Sequence, residues 1–184
     1  MKELSIPWLS TDVLRTITYA LTPPQEQATK FPYGGFTSAD QLTEMQIAQM
    51  VEWQVTETNS LQTCIRSLIR HQIDVRDSQI LEGVHLLPQQ VRSLVDDPAC
   101  EGHVRAVFIV GHDESTQLEA MRKNTSHFDW LNGASDETYE SVAAFVIAYG
   151  KFIREECERY RLPYIVRKGE FRQENEEILS VLMR

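Results

Sequence analysis

Cysteine is scarce in this chain. Cys64, Cys100 and Cys157 lie far apart with no CxxC spacing, which argues against a disulfide framework or a zinc site and predicts reduced, partly buried thiols. No apolar run approaches the ~20 residues needed to cross a bilayer. The opening MKELSIPWLS has too short an apolar stretch for a signal peptide and no small-residue cleavage pattern, so a cytoplasmic location is expected. Positive charge is also in deficit: 18 Lys and Arg stand against 27 Asp and Glu, for a net charge of −9. That balance argues against nucleic acid or an anionic membrane as the main partner, because both demand excess Lys and Arg. It leaves room for a nucleotide, which a few local cations and backbone amides can hold.

What is present is an ordinary globular composition, 42% hydrophobic and 24% charged over 184 residues, long enough for one domain with a real core. No internal repeat or low-complexity segment interrupts it. Four short apolar runs read as strands: Ile6–Leu9, Gln79–Val84, Val104–Val110 and Pro163–Val166. The middle two are nearly continuous in apolar residues, the pattern of strands covered on both faces in a parallel sheet. Helical patterns lie between them. One runs from Ser38 to His71 on the stripe Ile47, Val51, Val55, Thr58, Leu61, Ile65 and Leu68, with Ser38 and Gln41 forming a capping box. Another spans Asp136 to Tyr160, capped by Ser135, and shorter ones follow Pro88 and cover Asn175–Met183. Strands alternating with helices predict a layered α/β domain with a mainly parallel sheet.

The stretch Leu21–Thr37, with Pro23, Pro24, Pro32 and paired glycines, breaks this rhythm and reads as an exposed loop. With the long helix that follows, residues 21–71 form either a flap over a substrate site or a plain connection.

Four places carry side chains suited to chemistry. In WLSTDVLR a strand ends in polar residues and opens a helix, and ligands in parallel α/β sheets bind just beyond the carboxyl ends of strands. Asp12 could accept or orient a substrate hydroxyl proton, and Arg15 could hold an anionic group. The structural alternative is capping by Ser10, Thr11 or Asp12, with Asp12–Arg15 as a surface ion pair. In ILEGVHLLP a strand delivers Glu82, suited to hold magnesium through its waters, and Gly83 allows close approach of a ligand to the backbone. His85 is either a substrate contact or structural. Arg122 and Lys123 could neutralise a transferring phosphoryl group from a lid over about residues 118–133, or form a solvated helix face. Arg167, Lys168 and Gly169 follow the last strand and could line a nucleotide.

The order of these segments resembles the P-loop small-molecule kinases, especially the 2-phosphoglycerate kinase-like enzymes, over nearly the whole chain. The resemblance implies a three-layer α/β fold, ATP and Mg2+ as cofactors, and phosphoryl transfer to a small hydroxylated or phosphorylated metabolite. It assigns Asp12, Glu82 and Arg122 as catalytic, Arg15 and His85 to the substrate, Arg122 and Arg167 to the nucleotide, and Glu82 to the metal.

One departure is large. None of the eight glycines stands in a G-x-x-x-x-G-K-[ST] loop, and Gly150-Lys151 falls inside a helix. In the family the strand before that loop is central, between the strands matching Gln79–Val84 and Val104–Val110. Without it a gap of two strand spacings, roughly 9–10 Å, is expected. Three outcomes are open: the missing strand lies upstream of Met1, the neighbouring strands close up, or a second chain fills the gap. KELSIP resembles the tail of the family's first helix, which favours the first. A kinase-like binding protein without ATP chemistry is the competing reading, and its exposed edges would allow a homodimer by strand pairing. A hydrolase ranks lower, since no G-x-S-x-G elbow and no Cys/His or Ser/His pairing stands out.

Overall fold

The computed structural model describes residues 6–127, 129–168 and 171–183. It is a mixed α/β protein, mostly helical, with short parallel strands. Its contacts cluster into two compact units, Met1–Gly35 with Trp53–Val104, and Phe36–Glu52 with Arg105–Arg184. In place of one sheet, the four strands among the described residues form two parallel pairs.

In the first unit, β1 (Trp8–Ser10) pairs with β2 (Ile80–Glu82), placing Trp8 opposite Ile80, Leu9 opposite Leu81 and Ser10 opposite Glu82. Alternation sends Leu9 and Leu81 to one face, where they pack on a core of Leu14, Phe31, Leu61 and Ile65. Trp8 and Ile80 share the other face and remain 67% and 39% exposed. The expectation that this strand is covered on both faces is therefore corrected: two strands are too few to be sandwiched, and the core covers one side only.

Helix α1 (Thr11–Leu21) starts at Ser10, whose hydroxyl accepts from the Asp12 amide at 3.2 Å. Leu14 enters the core, while Val13, Ile17 and Leu21 form an exposed apolar stripe. The segment expected to be a loop contains α2 (Pro24–Lys30) and a 3-10 turn at Pro32–Gly35. Pro24 opens α2 because a proline at the first helical position loses no hydrogen bond. Gln27 Nε2 donates to the carbonyls of Tyr19 and Thr22, and the ring of Phe31, fully buried, meets Tyr19 edge-on at 5.7 Å. This segment is thus packed against the end of α1.

The helix expected over Ser38–His71 is two elements, a 3-10 turn at Ala39–Glu44 and α3 (Ile47–Val75). The Ser38–Gln41 capping box forms, but it caps the 3-10 turn. From Trp53 onward α3 belongs to the first unit, and Arg66 and Arg70 both reach Asp97, just past α4 (Pro88–Val95).

In the second unit, β3 (Phe108–Gly111) pairs with β4 (Tyr164–Arg167), linked by α5 (Glu114–Asn124) and α6 (Asp136–Tyr160) and followed by α7 (Phe171–Leu182). Ile109 of β3 is half exposed, so this strand also departs from the two-sided burial expected. Helix α6 has the expected bounds and the expected cap at Ser135. Asp40 adds a second anchor there, accepting from the Ser135 amide at 3.1 Å and from the Thr138 hydroxyl. Gly150 sits mid-helix where α6 crosses β3: a Cβ there would lie 3.5 Å from Val110 Cβ and 3.6 Å from the Gly111 amide nitrogen. Asp113 caps α5, and bonds from Ser115 and Thr116 hold its carboxyl down at about 2. Among the described residues no helix is long and apolar enough to cross a membrane.

Candidate functional site

Two parallel strands running side by side end together, so the residues after β1 and β2 meet. The first helical turn after β1 brings Thr11, Asp12 and Arg15, and the turn after β2 brings His85. His85 is 3% exposed, with Nδ1 3.2 Å from Thr11 Oγ1 and 3.5 Å from Asp12 Oδ1. Its other nitrogen, Nε2, lies 3.9 Å from Glu57 Oε2, close enough for electrostatics but too far for a hydrogen bond.

Glu57 of α3 is the hub, and at 1% exposure it is sealed from solvent. Arg15 grips it with two donors, Nε to Oε2 and Nη2 to Oε1, the latter at 3.0 Å. The Tyr33 amide donates to Oε1 at 2.9 Å. Burial alone would push this carboxyl up. His85, the Arg15 fork and the Tyr33 amide together outweigh burial and hold it below the usual range. The contact with Glu57 in turn raises the already high pKa of Arg15. A buried carboxylate is costly unless paired and hydrogen-bonded, and here it is both.

The local chain is shaped to allow this. Gly83 has φ +136°, and a Cβ there would stand 2.0 Å from Thr11 Oγ1. Its absent side chain thus makes room for Thr11 and lets the β2 turn close down so that His85 reaches α1.

Three of the residues singled out from the sequence, Asp12, Arg15 and His85, therefore converge. The surface pair Asp12–Arg15 does not form; Arg15 turns to Glu57 instead. Asp12 keeps a 70% exposed side chain at the mouth of the cluster. Glu82 ends β2, exposed, with no side-chain hydrogen bond or ion pair among the described residues. Arg122 and Arg167 belong to the second unit. There Arg122 pairs with Asp136 at 2.7 Å and Arg167 with Glu174 at 3.4 Å. Met1–Ser5, Phe128 of the expected lid and Gly169 lie outside the described residues.

Neither a family model, nor a curated protein, nor a solved structure matches the chain.

Glu57 is the residue that sequence reading missed. On α3 the buried face is Met50, Gln54, Glu57, Thr58, Leu61 and Ile65, while Val51 and Val55 are only partly covered. A signal existed: polar residues at 54 and 57 sit two turns and one turn before Leu61, in positions where a core stripe should be apolar. Gln54 is buried, and its Nε2 has no hydrogen-bond partner among the described residues. An unsatisfied buried donor carries a desolvation cost, so Gln54→Met is expected to raise unfolding stability by about 1 kcal/mol or leave it unchanged. Urea denaturation of the two proteins checks this.

As for the implied cofactors, no cluster of three or more His, Cys, Asp or Glu among the described residues could hold a metal ion. A lone exposed Glu82 suits a magnesium ion that arrives with phosphates and keeps most of its waters, and not a cage made by the protein. For the nucleotide phosphates the fit fails: no described segment offers a loop of converging amides followed by Lys and a hydroxyl.

Proposed function

We propose that this chain carries the acceptor side of an ATP-dependent phosphoryl transfer to a small, hydroxylated, anionic metabolite, in a three-layer kinase-like fold. The observation that supports this reading is the convergence of Arg15 and His85, from segments about seventy positions apart, on one buried carboxylate, with Asp12 against His85, at the carboxyl ends of two parallel strands. Arg15 takes the anionic group of the metabolite. Asp12, beside His85 and open to solvent, orients the accepting hydroxyl and receives its proton. Glu82 stands where an outer carboxylate could hold water on a phosphate-bound magnesium. The described residues do not complete the phosphate-binding half, so turnover requires a segment that supplies it.

Binding tests this without turnover. The chain is expected to bind 2-phosphoglycerate and to bind glycerol far more weakly. Arg15→Ala should weaken 2-phosphoglycerate binding about ten- to a hundredfold, the range for a charge-assisted fork contact. Calorimetry that finds the phosphorylated acid and glycerol indistinguishable would count against the reading. In a chain extended to include a phosphate-binding loop, unchanged turnover by Asp12→Asn would remove that residue from the chemistry.

The absence of a phosphate-binding loop from the described residues favours a second reading, a kinase-like binding protein without ATP chemistry. Mg-ATP calorimetry on this chain tests the second reading, which predicts no nucleotide affinity: micromolar binding overturns it.

A further inference from the structure

We infer that Glu57 is a positioning residue: it clamps the Arg15 guanidinium by its Nε–Nη2 edge so that the opposite Nη1–Nη2 end is presented as a ready fork for a planar two-oxygen anion, a carboxylate or a phosphate face. This rests on the reading of Arg15 as the anion-binding residue, but not on phosphoryl transfer.

The geometry carries it in three steps. A guanidinium has five N–H donors in one plane. Glu57 takes the Nε–H and one Nη2–H, and Arg15 makes no other side-chain hydrogen bond among the described residues. Both hydrogens of Nη1 and one of Nη2 therefore remain, in the arrangement that matches two oxygens of one anionic group. Second, the clamp cannot swivel. Glu57 is 1% exposed, and its Oε1 also accepts from the Tyr33 amide at 2.9 Å. Tyr33 is held in turn by its neighbours, its ring meeting Trp53 edge-on at 5.4 Å. A carboxylate tied to backbone on one side fixes the guanidinium plane on the other. Third, the Arg15 side chain is 24% exposed while its partner is sealed. One end of the pair is buried structure, and the other reaches solvent.

Glu57 is thus an orienting group that touches no ligand itself. An arginine held this way loses little rotamer freedom when an anion arrives, which is how preorganisation raises affinity. A lysine at 15 could supply the charge but neither the edge for Glu57 nor the planar fork for the anion.

The test uses the 184-residue chain and observes the Arg15 side chain directly by 15N NMR, its Nε–H signal assigned with Arg15→Lys. In the wild type that signal should be downfield and slow to exchange. Adding 2-phosphoglycerate or inorganic phosphate, at constant ionic strength, should perturb the Nη groups while the Nε–H contact persists. Glu57→Gln should weaken phosphate binding about tenfold or more and bring the Nε–H signal toward that of a free arginine. Glu57→Asp keeps charge and burial but withdraws the acceptor by one methylene, so it gives the same readout if Glu57→Gln fails to fold; intermediate affinity is expected. Anion binding that releases the Nε–H contact overturns the inference, since Glu57 would then be a competitor for Arg15. Equal phosphate affinity in wild type and Glu57→Gln overturns it while leaving Arg15 as an anion site. Binding that follows Glu57 as expected, in a chain that never transfers a phosphoryl group, supports the inference and refutes the kinase reading alone.

Discussion

Replacing Arg15 by methionine is expected to lower unfolding stability at pH 7 by about 2–4 kcal/mol, toward the lower end of what breaking a buried ion pair costs. Methionine fills much of the same volume, so little of the loss is packing. The loss comes from leaving Glu57 ionised and sealed with only the Tyr33 amide and a distant imidazole for company. The reverse deletion, Glu57→Gln, is expected to cost less, because the orphaned Arg15 can turn its exposed end to water. The double variant should recover most of the loss, since a neutral pair of similar size leaves no uncompensated charge.

The pH dependence identifies the cause. In the wild type the folded pKa of Glu57 lies below its unfolded value. Its contribution is therefore present above the unfolded pKa and lost as pH falls through the folded one. Without Arg15, burial is opposed only by His85 and the Tyr33 amide, and the folded pKa rises. The variant's handicap is then greatest at neutral pH and shrinks as acid protonates the carboxyl. The stability difference between the two proteins should thus narrow on going from pH 7 down through the carboxylate range. A pH-independent difference in urea-denaturation midpoints would mean that the ion pair is not the source.

The second large effect is expected at Gly83. Gly83→Ala forces a side chain onto a residue with φ +136° and drives its Cβ to within 2.0 Å of Thr11 Oγ1. The next atoms met are Thr11 Cβ at 3.1 Å and the Thr11 amide nitrogen at 3.3 Å, so the obstacle includes backbone as well as a hydroxyl that could rotate away. Strain and overpacking together should cost about 2–5 kcal/mol. The damage is local to the cluster: moving the β2 turn away from α1 pulls His85 from Thr11 and Asp12. Thermal unfolding should show the lost stability, and the His85 ring resonances should show the lost contacts. Thr11→Ser, which removes only the methyl group and keeps the hydroxyl, should not rescue Gly83→Ala, whereas Thr11→Gly should do so in part.

How much of this was legible depends on where each signal resides. Helix α6 was readable end to end because its cap, Ser135, and its apolar spacing are local facts. The Ser38–Gln41 box was equally local, but what it capped was not: the chain turns at Met45, whose ψ of 147° is extended, and α3 starts afresh at Ile47. The helix hidden in the supposed loop was misread because prolines at 23 and 24 look like breakers, although Pro24 occupies the one helical position where proline fits well.

Asp12, Arg15 and His85 could be singled out because they follow apolar strand-like runs, and parallel pairing then brings strand ends together. Glu57 could not be found in this way. A search for apolar periodicity on α3 favours Val51 and Val55, and nothing local explains burying an acid instead. The explanation is Arg15, 42 positions earlier, and a long-range ion pair shows in the periodicity only as a polar residue out of place, with nothing to name its partner. The same limit applies to the sheet. Apolar continuity in Gln79–Val84 and Val104–Val110 reported strand character correctly at β2 and β3, but not the number of neighbours each strand would have.

That number has a consequence for the backbone itself. In a parallel ladder, successive amide and carbonyl groups along a strand point alternately to its left and right. A strand with one neighbour therefore directs every other residue's N–H and C=O away from the ladder. Among the described residues β1 pairs only with β2 and β3 only with β4, so about half of the hydrogen-bonding capacity of each strand is left to whatever lies alongside, whether water, a loop or another chain. The order of these four strands is accordingly set by their surroundings as much as by their side chains.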